Sequence, residues 1–340
     1  MRTFLPLLTA SLLFFVILTV PVAGEDEAPK TGSFRVDLPS GIHYFCHVPD
    51  NYEPGRTGIA ILFHGRGGSG EDMLSFYRDS GMLKDYNWIG IAPKSPDLMW
   101  EAGHKGGMDS LNDVMKKYKV DKNRVHILGF SAGGLYTAWM GLSNLGIFRT
   151  IVVSGACLDN GPIGNVKKNL NMPIYLINGE TCQYVDAARS NFESLVRFGC
   201  RYARRRVHKG EGHSYDINKD VPFLREWYTA VESGYDYPAA LDKATKDLKG
   251  KVEKAIATVK EIESHPREEG FWAELAAIKT AINEQGEKKL KQILTRNKNA
   301  PAKAIPELKA LATTFEGYPC ADAANEELAK LEPEGEGEKE

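Results

Sequence analysis

Val125-His126-Ile127-Leu128-Gly129-Phe130-Ser131-Ala132-Gly133-Gly134 is the stretch that decides the fold. Val125 to Leu128 is a short apolar run, as a strand buried on both faces requires, and Gly134 to Leu142 can continue as a helix. Between them, Gly129 to Gly133 spell a G-x-S-x-G pattern. A serine hydroxyl is a weak nucleophile and must meet a base and a substrate at once. A sharp strand-to-helix turn achieves this by lifting the hydroxyl above the sheet, and small neighbours let that turn pack closely. Ser131 is the candidate nucleophile.

Similar apolar runs lie on both sides. Ile59 to Phe63, Trp88 to Ala92, Thr150 to Val153 and Ile174 to Ile177 each end near glycine, proline or a small polar residue. Between runs, Met108, Leu111, Val114, Met115 and Tyr118 recur at helical spacing. Repeated strand–helix–strand units predict a mostly parallel sheet with helices on both faces. Two earlier strands, Phe34–Asp37 and Ile42–Val48, read as an edge hairpin. After Tyr237-Pro238 the pattern changes. Leu248, Val252, Ile256, Val259 and Ile262 keep helical spacing, as do Leu275, Ile278 and Ile282, then Leu290, Ile293 and Leu294, then Ile305, Leu308, Leu311 and Phe315. Residues 33–232 are thus expected to form an α/β domain and 238–331 a small all-helical module. The stretch 332–340 has no apolar residue and reads as a disordered acidic tail.

Two more loops carry chemistry. His64-Gly65-Arg66-Gly67-Gly68-Ser69-Gly70 follows the Ile59–Phe63 run. Serine attack on an ester puts negative charge on the former carbonyl oxygen, and two aimed backbone N–H groups stabilise it. Ala132, next to the nucleophile, would give one, and Arg66 the other. A phosphate-binding glycine loop is the competing reading, but neither G-x-x-x-x-G-K-[ST] nor G-x-G-x-x-G is present. Gly210-Glu211-Gly212-His213-Ser214-Tyr215 follows the last strand-like run, Arg204–Val207. The imidazole of His213 is placed to take the serine proton and return it to the leaving alcohol. His208 is its nearest rival.

Together the His-Gly-Arg-Gly-Gly loop, the Val120-Asp121-Lys122-Asn123-Arg124-Val125 lead-in, Gly-Phe-Ser-Ala-Gly-Gly and Gly-His-Ser resemble the α/β-hydrolase superfamily. Within it the likeness is to the poly(3-hydroxybutyrate) depolymerase, feruloyl esterase and phospholipase/carboxylesterase group, over roughly residues 33 to 232. The resemblance implies ester hydrolysis through an acyl-enzyme, without metal or organic cofactor. It also implies a triad aspartate just after the strand before the histidine segment, in a Gly-x-x-Asp setting. Here that stretch reads Gly179-Glu180-Thr181-Cys182-Gln183-Tyr184-Val185-Asp186, with Cys182 at the expected position. Asp186 is the first candidate for the acid, with Glu180 and Asp159 as alternatives. Cys157 and Cys182 both follow strands that the fold sets side by side, close enough for a disulfide bracing this loop; two independent thiols are the other reading.

Net charge is -2, with 42% apolar and 26% charged residues, which gives no electrostatic footprint for nucleic acid. Arg2, the apolar run Phe4–Val20 and Pro21-Val22-Ala23-Gly24 read as a signal peptide over residues 1–24, hence a secreted or periplasmic protein with no membrane span after cleavage. None of the five cysteines falls in a CxxC pair, so no metal site is expected. Ser154 to Met172 is too short for an inserted lid, so the site should be open to a polymeric or polysaccharide-linked ester. Trp100 is a candidate wall of the substrate pocket. Two other readings share the motifs: a prolyl-oligopeptidase-type peptidase, and a degenerate hydrolase domain that binds without turnover. The helical module is a candidate platform for an unknown protein partner.

Overall fold

Strands buried on both faces build the molecule in layers. The structure is a computed structural model describing residues 30–95, 99–101, 104–159 and 161–332. The expected signal peptide, and all of the tail but Glu332, lie outside the described residues.

Strands β1 (Gly32–Asp37), β2 (His43–Val48), β3 (Gly58–Phe63), β4 (Trp88–Pro93), β5 (Val125–Phe130), β6 (Thr150–Ser154), β7 (Ile174–Gly179) and β8 (Ala203–His208) form one sheet in the order β1-β2-β4-β3-β5-β6-β7-β8. The first two strands form the expected hairpin; β2 also meets β4 antiparallel, and every pairing from β4 to β8 is parallel. Helices α1 (Gly70–Asp79), α2 (Met82–Asp85), α3 (Gly106–Lys117), α4 (Ala132–Ser143), α5 (Val185–Phe198) and α6 (Val221–Glu232) cover it.

Ile59, Ile61 and Phe63 of β3 point into one core with Leu111 of α3, Met140 of α4 and Leu195 of α5. Ala60 and Leu62 point into the other, with Leu74 of α1, Leu83 of α2 and Trp227 of α6. A strand buried on both faces needs apolar residues at every position, hence the unbroken runs in the sequence. This is the α/β-hydrolase architecture expected from the repeated units.

The parallel register sets the site. Phe63 lies opposite Gly129, Phe130 opposite Ser154, Ser154 opposite Ile177, and Gly179 opposite His208. The carboxyl ends of β3, β5, β6, β7 and β8 therefore share one edge, where open parallel sheets bind ligands.

Helices α7 (Tyr237–Asp247), α8 (Val252–Glu263), α9 (Glu269–Arg296), α10 (Ile305–Thr314) and α11 (Pro319–Leu331) enclose a separate apolar core. The groups Leu275–Ile282 and Leu290–Leu294 belong to one 28-residue helix, α9. At Gly286 that helix meets α11 so closely that a Cβ would lie 2.2 Å from Cys320 Sγ. The helices join β8 through ion pairs of Arg204 with Glu268 at 2.6 Å and Arg206 with Glu269 at 2.5 Å. Among the described residues no helix is long and apolar enough to cross a membrane.

Candidate active site

At the end of β5 the chain turns into α4 through Ser131, whose φ of 55° and ψ of -120° are strained for a residue with a Cβ. Asn87 is the other non-glycine residue with positive φ among the described residues. Backbone contacts hold the turn. Ser131 N–H donates to Ser154 O at 2.9 Å. A Cβ on Gly129 would lie 2.3 Å from Gly133 O, and one on Gly133 would lie 2.2 Å from Phe63 O. Both small residues of the pattern are thus dictated by close packing.

His213 lies on the loop after β8. Thr181 N–H and its hydroxyl both donate to Glu211 O, at 2.9 and 3.1 Å. Gly179 passes so near that a Cβ there would lie 2.2 Å from Gly212 O. So held, His213 Nε2 is 2.8 Å from Ser131 Oγ, and its ring stacks on Phe130 with centroids 5.7 Å apart. Burial pushes the His213 pKa below the ordinary histidine value, favouring the neutral, proton-accepting form.

A cavity of about 370 Å³ opens beside this pair, lined among others by Arg66, Met99, Ala132, Gln183 and Tyr184. Arg66 and Ala132, the two expected oxyanion donors, both border it. The Arg66 loop is pinned from behind: His64 Nδ1 is 2.8 Å from Gly65 O, and Lys94 Nζ donates to Gly68 O at 2.8 Å.

The sheet order and the strained serine turn that follows β5 decide the fold. The chain has the α/β-hydrolase fold. No family model matches the chain. It is 29% identical to feruloyl esterase B of Neurospora crassa over 125 residues, covering 33% of this chain and 42% of the relative. It is 28% identical to feruloyl esterase B of Thermothelomyces thermophilus over 147 residues, covering 38% and 49%. The chain thus spans about half the length of the curated relatives it matches, or less. A solved ferulic acid esterase is similar at 16% identity and a TM-score of 0.47, with 57% of this chain and 95% of that one covered.

The acid side of this site differs from the expectation. Asp186 opens α5 with its side chain 81% exposed and paired to Arg189 at 3.0 Å. Glu180 accepts from Gly210 N–H at 2.8 Å, and so braces the histidine loop from outside. Asp159 accepts from Asn191 Nδ2 at 2.8 Å. What faces His213 Nδ1 is Cys182 Sγ, at 3.3 Å.

All five cysteines are free, so of the two readings of Cys157 and Cys182 the independent thiols hold and the bridge does not form. The two lie three and five residues beyond the paired Ser154 and Ile177, at unequal heights on the edge. Trp100 is also placed differently from its expected role. Its indole is buried, donates to His64 O at 2.9 Å and stacks on Tyr136. It supports the Arg66 loop from within and is not among the residues that line the cavity.

His208 is tied elsewhere. Its Nε2 is 2.7 Å from buried Asp220, which also accepts from Ser154 Oγ at 2.9 Å and Tyr215 OH at 3.0 Å. Sequence reading missed this acid and the wall residues Gln183 and Tyr184. For Gln183 and Tyr184 the position just past the end of β7 was the available signal, whereas Asp220 lies immediately before α6, well beyond the end of β8. Among the described residues, no group of three or more His, Cys, Asp or Glu could hold a metal ion.

Proposed function

We propose that the chain is an exported serine carboxylic ester hydrolase. The observation that carries this is the 2.8 Å contact between Ser131 Oγ and His213 Nε2, made at a strained turn beside an open cavity. In this reading Ser131 Oγ attacks the ester carbonyl while its proton passes to Nε2. The N–H groups of Ala132 and Arg66 stabilise the oxyanion. The carbonyl then re-forms, the alcohol leaves with the proton from His213, and an acyl-enzyme remains. Water, deprotonated by the same imidazole, releases the acid.

The feruloyl esterase relatives support a feruloyl ester as substrate. The short β6–β7 connection, without room for a lid, suits a bulky polymer. The basic and apolar N-terminal stretch supports export. Residues 33–232 would then be the catalytic domain and 238–331 an appended helical module.

The test is labelling by a fluorophosphonate together with hydrolysis of p-nitrophenyl butyrate and methyl ferulate. Ser131→Ala should abolish labelling and reduce turnover by at least ~10⁴-fold. A folded wild-type chain that neither labels nor turns over would favour the binding-module reading, for which the thiol facing His213 is the motivating observation.

A further inference from the structure

We propose that Cys182 is the positioning residue of this site, its sulfur accepting the Nδ1–H bond of His213 where a carboxylate would otherwise stand. Its kinetic consequences rest on the ester-hydrolase reading, whereas the contact itself can be tested without turnover.

The sulfur is 3.3 Å from Nδ1, on the side of the ring away from Ser131. The residue is 2% exposed, and its backbone is fixed by Cys182 N–H to Gly179 O at 3.1 Å and Val185 N–H to Cys182 O at 2.9 Å. Every carboxylate that could compete is engaged. Asp186 pairs with Arg189, Glu180 holds Gly210, Asp159 holds Asn191, and Asp220 holds His208 and Tyr215.

The remaining groups around the ring are accounted for as well. Phe130 and Tyr184 supply ring contacts, Glu211 on the same loop pairs with Lys219, and Arg66 shares the cavity. No carboxylate among the described residues is hydrogen-bonded to the imidazole.

The chemistry of sulfur makes this arrangement distinctive. A carboxylate only accepts hydrogen bonds, so it admits a single imidazole tautomer, the one with hydrogen on Nδ1 and a lone pair on Nε2. A thiol both donates and accepts weakly, so it orients the ring but selects the tautomer less strictly. When the Ser131 proton reaches Nε2, the positive imidazolium then stands beside a neutral sulfur. The proton later leaves with the alcohol, and Cys182 keeps its own throughout. Proton uptake by the ring is therefore harder than beside an anion, and burial by itself holds the His213 pKa below the ordinary value of about 6.5. A base with a lowered pKa stays neutral to lower pH, so the acid limb of kcat/KM should fall below pH ~6.5.

The experiment compares wild type with Cys182→Ala, Cys182→Ser and Cys182→Asp, using ¹⁵N-histidine NMR across pH alongside p-nitrophenyl butyrate kinetics. Cys182→Ala should lose the preference for hydrogen on Nδ1 and lower kcat by roughly tenfold with KM little changed. Cys182→Ser, which keeps a small donor and acceptor, should recover most of both. Cys182→Asp should move the His213 titration and the acid limb to higher pH and raise kcat by about tenfold. A Cys182→Ala protein with wild-type tautomer, titration and kcat overturns the proposal. If wild type turns over no ester, the NMR comparison still decides the role of Cys182, and only the hydrolase reading fails.

Discussion

Two loops at the same sheet edge hold the two halves of the site, and they are held in different ways. The β5–α4 turn that carries Ser131 is clamped by backbone: Phe63 O, Gly133 O and Ser154 O all close on it. The β7–α5 loop faces His213 with a side chain, Cys182, on a turn that leaves Gln183 and Tyr184 at the cavity wall. Backbone clamps leave no room for exchange, because a carbonyl cannot adopt another rotamer. A side-chain contact can change its chemistry while the loop keeps its path. The nucleophile turn carries the full G-x-S-x-G pattern, and the departure from the expected pattern falls in the acid loop.

The sharpest way to break that contrast is Gly133→Ala. Its Cβ would lie 2.2 Å from Phe63 O and 2.5 Å from His64 O. Overpacking of this kind costs about 1–3 kcal/mol or more, so thermal unfolding should come clearly earlier and fluorophosphonate labelling should be lost. A variant that melts and labels like wild type would show the turn to be less tightly clamped than its contacts imply.

A smaller effect is expected from Gly179→Ala, whose Cβ would meet Gly212 O at 2.2 Å, on the loop after β8 rather than inside the sheet. The fold should survive while His213 shifts. A displacement near 1 Å lowers kcat on the order of 10²-fold, readable with p-nitrophenyl butyrate and circular dichroism. Unchanged kcat would separate the histidine loop from its support on β7.

The smallest effect belongs to Asp186→Ala. An exposed ion pair is worth ~0–1 kcal/mol, and kcat should stay within about twofold of wild type. A loss beyond tenfold would return Asp186 to the role that the sequence pattern first suggested, and would blur the contrast between the loops.

Most of the fold was legible in the sequence. Strands buried on both faces must be apolar throughout, so β3 to β7 stand out as runs, and their spacing leaves room for a covering helix between each pair. Gly129 and Gly133 were readable because close packing leaves a fixed residue type behind. The neighbour of His213 Nδ1 was not. Four acids, Asp159, Glu180, Asp186 and Asp220, lie near the strand ends, and spacing alone does not say which way a loop side chain turns. Trp100 posed the same difficulty, since an indole at a strand end can face a pocket or the core.

The sequence by itself determined the alternation of strand and helix, the change to a helical region after Tyr237-Pro238 and the candidate pair Ser131 and His213, because periodicity and glycine placement act locally along the chain. Only the tertiary structure decided that β8 brings His213 to within 2.8 Å of Ser131, that the nearby carboxylates are each bound elsewhere, and that a thiol faces the imidazole. Those contacts join residues 31 to 82 positions apart, and long-range hydrogen bonds of that kind depend on loop paths rather than on local pattern.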